Sequence, residues 1–246
     1  MRWWFLATVL LTAHSACSGR TDLNAAQQPA VDPRAVRVLL DVEKTYADSL
    51  RYSDHGEVFD SEGVCSGVFF TNWRSGTVEF GFRDFGMQRF YEDRGFRGSA
   101  EEVVRWEAPA HITSATLSPE APQGLMTLTH IPSDAIYGSK SPLESAAMAT
   151  AGTTTLTSWF VPRLLTGVDV FECETHCVTE FEEEVEEDGV PCVTISLRDD
   201  DARTKVIVGR DDKLIRKIQR IDPAAPGIPS PTSPFYTILI HPSLSE

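Results

Sequence analysis

The chain is short of positive charge. Its 22 Lys and Arg stand against 36 Asp and Glu, for a formal net charge of -14. No basic stripe is present to neutralise a phosphate backbone, which excludes nucleic acid as a partner. Long apolar runs are missing too. The most apolar stretch, Trp3 to Ala13, falls short of the ~20 residues that a helix needs to span a bilayer. The catalytic signatures G-x-S-x-G, H-E-x-x-H, the P-loop and S-x-x-K are all absent. The 6 histidines (His14, His55, His111, His130, His176 and His241) form no i,i+4 pair. These absences argue against an enzyme and call for no cofactor or metal. With 41% hydrophobic residues the chain can still bury a substantial core, and no internal repeat divides it.

The N-terminus carries a targeting pattern. Arg2 supplies a short positive region, the apolar run follows, and Ala13, Ser15 and Ala16 precede Cys17. Cleavage before Cys17 would expose a cysteine for lipidation, although His14 stands where an aliphatic residue is usual. The other reading is ordinary secretion, with cleavage after Ser15 or Ala16. The expected organisation is a signal peptide over 1–16, a polar tether over 17–31 and one domain over 32–246. The 5 cysteines of the chain leave Cys65, Cys173, Cys177 and Cys192 beyond Cys17. In an exported chain they are read as disulfides or buried thiols ahead of a metal site, since Cys173-Glu174-Thr175-His176-Cys177 has no standard zinc spacing.

The stretch from Asp32 to Phe59 organises the domain. Asp32 is a plausible N-cap and Pro33 suits the first helical turn. Val36, Leu39, Leu40, Tyr46, Ala47 and Leu50 recur at helical spacing with Glu43 among them, and Arg37, Asp41, Lys44 and Asp48 lie off that stripe. The spacing predicts one long helix, a break at Tyr52-Ser53-Asp54-His55-Gly56, and a strand from Val58. Period-two patterning then predicts strands over Cys65–Trp73 and around Val78, Phe80 and Phe82, with a turn at Asp84-Phe85-Gly86. Further strands are expected over Met87–Glu92, ending at Asp93-Arg94-Gly95, then over Glu102–Trp106 and Leu125–Thr129. Ser141-Pro142-Leu143-Glu144 is a capping signal for a short helix reaching about Thr150. Thr157–Leu165 reads as a second, very apolar helix whose start Pro162 limits. Strands return over Val178–Glu186, around Val193, Ile195 and Leu197, over Lys205–Val208, Leu214–Ile221 and Phe235–Ile240. A proline-rich loop precedes the last of these. The acidic run from Glu180 to Asp188 reads as a solvated strand face that keeps an edge from pairing, rather than as a calcium site. His55 sits beside Asp54, a carboxylate that could orient its ring.

Helix, antiparallel meander, short apolar helices and a second meander are the resulting order. With the motifs Tyr46…Tyr52-Ser53-Asp54-His55-Gly56, Phe70-Thr71, Trp159-Phe160-Val161-Pro162-Arg163-Leu164-Leu165, Gly189-Val190-Pro191-Cys192 and Asp211-Asp212-Lys213-Leu214-Ile215-Arg216-Lys217-Ile218, it resembles the lipoprotein-carrier (LolA/LolB-like) superfamily. The likeness is to its exported outer-membrane lipoprotein-sorting-type branch and runs over about residues 33 to 240. The resemblance implies an α+β fold: a curved antiparallel sheet, an incomplete β-barrel, with an N-terminal helix and short helices covering the concave face. It also implies that this face can hold acyl chains.

Alternation places Val78, Phe80, Phe82, Ile195 and Leu197 on that face, with Leu39, Tyr46 and Leu50 of the first helix lying over it. These are the candidate cavity residues, and a filled core would give the same pattern. Two functions follow. One is an exported, non-enzymatic protein of the bacterial cell envelope, anchored through Cys17 in the outer membrane or facing the periplasm, that binds a lipid or lipoprotein acyl chain. The other is a protein-interaction or envelope-sensor module on the same scaffold with a filled core.

Overall fold

The structure is a computed structural model. It describes residues 31–85, 92–99, 102–108, 127–131, 142–143, 146, 150, 156–167, 170–171, 178–198, 203–221 and 236–244. Residues 1–30, on which the expected signal peptide, Cys17 and nearly all of the expected tether fall, lie outside these residues, as do Met87–Tyr91, Cys173, Cys177 and the proline-rich stretch before β11.

Helix α1 spans Pro33–Ala47, and the Asp32 side chain accepts from Arg34 N at 2.8 Å. Its buried stripe is Ala35, Leu39, Val42 and Tyr46. The stripe is narrower than the sequence predicts, and the helix is shorter. Asp48 caps its end, donating N–H to Lys44 O at 2.9 Å, and Trp73 Nε1 donates to Ser49 O at 2.9 Å. These bonds turn the chain out of the helix before Leu50, which is 81% exposed. Leu40, in mid-helix, is also exposed, because it points away from the side that meets the sheet.

Tyr52–Gly56 is strand rather than a break. Strand β1 runs Arg51–Asp60, with Tyr52, Asp54, Gly56 and Val58 buried on one face. Glycine at position 56 is required by its neighbours: a Cβ there would lie 2.2 Å from Leu239 O and 2.3 Å from the Phe69 ring. β2 (Cys65–Arg74), β3 (Thr77–Asp84), β4 (Glu92–Gly98), β5 (Val103–Ala108) and β6 (Thr127–Ile131) follow. Asp93-Arg94-Gly95 does not close a strand as its turn-like composition suggests. It forms the start of β4 and pairs with Phe82 to Arg83 and Gly81. Gly95 sits there because the Trp106 ring lies over it, 2.4 Å from where a Cβ would be.

Helix α2 covers Leu156–Leu165 with Pro162 inside it, so the proline does not mark its start. Pro142, Leu143, Ala146 and Thr150 are helical and buried in the stretch read as the capped helix, and Ser141 lies outside the described residues. β7 (Val178–Glu187), β8 (Val190–Arg198), β9 (Arg203–Gly209), β10 (Ile215–Ile221) and β11 (Tyr236–Leu244) complete the fold.

All eleven strands join one sheet in the order β6-β5-β4-β3-β2-β1-β11-β10-β9-β8-β7. Every ladder among the described strands is antiparallel, and β1 with β11 zips the N-terminal meander to the C-terminal one. The sheet stays open, with β6 and β7 at its ends. It is the curved antiparallel sheet with helical cover that the sequence resemblance implies. At the β7 edge, Val31 makes a parallel bridge to Thr179 and Asp32 N donates to Thr179 O at 2.8 Å, tying the start of α1 to the sheet.

The acidic run falls on this edge strand as expected, with Glu183, Glu184, Glu186 and Asp188 exposed to solvent, and part of it is also paired. Glu182 binds Arg203 and Lys205, Glu184 reaches Arg210, and Glu187 binds Lys217. Glu182 is held below the usual carboxylate range by those two cations, which outweigh its burial.

Candidate ligand-binding site

The inner face of the sheet is assembled from alternate residues in register. Thr71 of β2 faces Phe80 of β3, which faces Phe96 of β4. Phe69 stacks near Phe80 with centroids 6.1 Å apart, and Phe80 on Phe96 at 5.3 Å. On the other half, Val58 leads through Ile238, Ile218 and Val206 to Ile195 and Phe181. One apolar cluster therefore runs from β5 to β8, with the buried faces of α1 and α2 closing it. Each fully buried Phe or Ile contributes about 1.5–3 kcal/mol by leaving water.

Seven of the eight candidate residues meet there: Leu39, Tyr46, Val78, Phe80, Phe82, Ile195 and Leu197 are all buried members of this cluster. Leu50 does not join them. It lies beyond the helix end and faces solvent. Phe69, Phe96, Val58 and the buried residues of β10 and β11 belong to the same face without standing among the candidates. Strict alternation from Val58 and Phe69 was the available signal for them.

One polar chain crosses this face. Ile215 N donates to the Tyr46 hydroxyl at 3.1 Å, the Tyr46 and Tyr52 hydroxyls lie 3.5 Å apart, and Tyr52 Oη donates to Asp54 Oδ2 at 2.8 Å. It connects α1 to β1 and β10 through side chains spaced by helix and strand periods. Burial pushes the Asp54 carboxyl up to about 7, against the opposing pull of Tyr52 and Thr71. The same burial raises both tyrosines. Thr71 is Asp54's ladder partner, and its hydroxyl and backbone N–H face the carboxyl from the neighbouring strand. Both residues are at least 95% hidden from solvent, Asp54 at 5% exposure and Thr71 at 0%.

His55 is not oriented by Asp54. Consecutive strand residues point to opposite faces, and His55 lies on the outer face, stacked on His241 with centroids 4.9 Å apart. Cys65 and Cys192 are free thiols, held above their ordinary pKa mainly by burial. Among the described residues no cluster of three or more His, Cys, Asp or Glu is placed to hold a metal ion.

Two open clefts flank the helical cover. One, of about 760 Å³, lies at the β7 edge between Val31–Arg34 and Thr179–Glu182, where Arg34 packs 4.9 Å from the Phe181 ring. The other, of about 490 Å³, lies at the opposite end between Ala47, Trp73, Gly76 and Leu165–Gly167.

The fold and its inner face define an open antiparallel half-barrel with a helical cover over an apolar surface. Solved structures with a similar fold include MucB (9% identity, TM-score 0.40, 87% of this chain and 60% of that one), and the chain thus spans about three-fifths of MucB's length. They also include lipoprotein LppX of Mycobacterium tuberculosis (11% identity, TM-score 0.38, 85% and 92% of the two chains). A domain described as that of an outer membrane lipoprotein-sorting protein from Vibrio parahaemolyticus is similar as well (8% identity, TM-score 0.33, 85% and 91%). The likeness is one of fold alone. No protein-family model and no curated protein matches the sequence.

Proposed function

We propose that the protein binds the acyl chain of a lipid or lipoprotein between the inner face of its sheet and the helical cover, without catalysing a reaction. The observation that carries this reading is the continuity of the apolar face. Val78, Phe80 and Phe82 on one half and Ile195 and Leu197 on the other belong to one surface whose described cover is helical. An acyl chain needs aliphatic and aromatic lining, and away from Asp54 this face offers it.

The cover is attached largely by apolar contact. Its polar ties to the rest of the chain include Val170 N to Glu43 Oε1 at 3.3 Å and Ile215 N to Tyr46 Oη at 3.1 Å. Apolar contacts are non-directional and re-form against a chain of similar chemistry, so the apolar faces of α1 and α2 can ride on a ligand. Lipidation at Cys17 after export would fix the protein in one membrane of the bacterial envelope, as a receptor rather than as a shuttle that crosses the periplasm.

A second reading has its own support. The stacked Phe69, Phe80 and Phe96 rings fill their part of the inner face, which suits a scaffold with a packed core that docks a protein partner. Native mass spectrometry of a Cys17→Ser variant separates the two. Acyl species released on denaturation, together with uptake of a fluorescent acyl probe, are the expected result. Apo protein that also ignores the probe overturns acyl binding and leaves the interaction module.

A further inference from the structure

The two clefts at the rim of the helical cover differ in chemistry. The one at the β7 edge has Asp32, Arg34, Glu180, Glu182 and Arg203 on its walls. The Val31–Thr179 bridge and the Asp32 N–H to Thr179 O bond tie its two sides together. The other, of about 490 Å³, is lined by Ala47, Trp73, Gly76, Ser99 and Leu165–Gly167, none of them charged. Hydrocarbon sliding past ionised groups strips water from them, a cost that uncharged walls do not impose.

The uncharged cleft lies where both helices stop. α1 ends at Ala47 and α2 at Leu165, and Gly167 N–H closes the last turn of α2 on Leu164 O at 3.0 Å. The floor of the cleft belongs to the inner face: Leu165 is a buried member of the apolar cluster, and Trp73 packs against it. In register, Trp73 faces Val78, Val78 faces Gly98 and Gly98 faces Val103, the last inward-facing row before the rim. Gly76, in the turn between β2 and β3, and Gly167 border open space, since a Cβ at either meets no atom within 4 Å.

We propose that this cleft is the entrance through which an acyl chain reaches the inner face, with Trp73 as its gate. The inference rests on the acyl-binding reading above and adds the route. Trp73 bridges the two sides of the entrance. Its ring packs on the inner cluster, while Nε1 donates to Ser49 O at 2.9 Å, just past the end of α1. An indole joins a large apolar body to one polar handle, so breaking one hydrogen bond frees the ring and leaves the apolar walls in place. A gate acts on passage alone. It changes the rates of entry and exit together and leaves the affinity, which depends only on the free and bound states, as it was.

The test is stopped-flow uptake of a fluorescent acyl probe by the Cys17→Ser chain, and release of the probe into excess stearate. Ala47 is exposed at the helix end, so a larger side chain there narrows the cleft without entering the core. Ala47→Trp is expected to slow uptake and release together by about tenfold, with affinity kept within about twofold. Trp73→Phe keeps an apolar ring but loses the bond to Ser49, and is expected to speed both rates. Val31→Trp, at the charged cleft, is expected to leave both as they were. Thermal melts establish which variants are folded, and Trp73→Phe decides alone if Ala47→Trp is not. Unchanged rates in the folded entrance variants, altered affinity at an unchanged uptake rate, or slowing by Val31→Trp overturns the entrance and leaves acyl binding standing. A parent chain that binds no probe overturns both.

Discussion

At the residue scale, Asp54 carries the clearest consequence. In the folded chain its carboxyl keeps a proton at pH values where the unfolded chain has lost it, since burial moves it from an ordinary 3.8 to about 7. The folded state therefore binds more protons than the unfolded state across that interval. Its stability falls as pH rises through the window and levels off above it. Urea unfolding at about pH 5 and about pH 8 checks this: the wild type is expected to lose a few kcal/mol relative to Asp54→Asn between the two. Parallel pH dependence in the two proteins would show that Asp54 is not the group responsible. The neighbouring tyrosines stay neutral throughout, so the relay from Ile215 through Tyr46 and Tyr52 keeps its donors over the whole range.

At the element scale, α1 is held by one stripe. Leu39 is fully buried between helix and sheet, whereas Leu50 lies in solvent past the cap. Leu39→Ala is expected to cost about 2–5 kcal/mol through lost burial and the cavity left behind. Leu50→Ala is expected to stay within about 0.5 kcal/mol. Denaturant midpoints of the two variants decide it, and a comparable cost for both would restore Leu50 to the buried face. The start of α1 is legible in sequence because Asp32 and Pro33 act locally. Its end is not, because Asp48 and the Trp73–Ser49 bond stop the helix against a strand the local pattern does not reveal. β4 shows the same limit. Gly95 looks like a turn residue until Trp106 is seen lying across it.

At the scale of the whole molecule, the domain is one continuous sheet whose two meanders meet at β1 and β11. That meeting places the central strand, with Asp54, beneath the helical cover. The anchor expected at Cys17 makes a prediction of its own. Cys17→Ser is expected to move the protein from the membrane fraction to the soluble fraction and to abolish incorporation of labelled palmitate, because stable attachment needs more than one acyl chain. An unlabelled, soluble wild type would indicate ordinary secretion.

The sequence by itself determined the element types, the antiparallel layout and most of the inner face. Period-two and period-3.6 patterns act over a few residues and report which side of an element is buried. Val78, Phe80, Phe82, Ile195 and Leu197 were legible for that reason. Only the tertiary structure decided which strands lie side by side and where α1 stops. It also decided that Asp54, between Ser53 and His55 in sequence, is buried against Thr71. Those facts depend on groups far apart in the chain, such as Tyr46 with Ile215 and Gly56 with Phe69 and Leu239. No local pattern encodes which distant group will arrive.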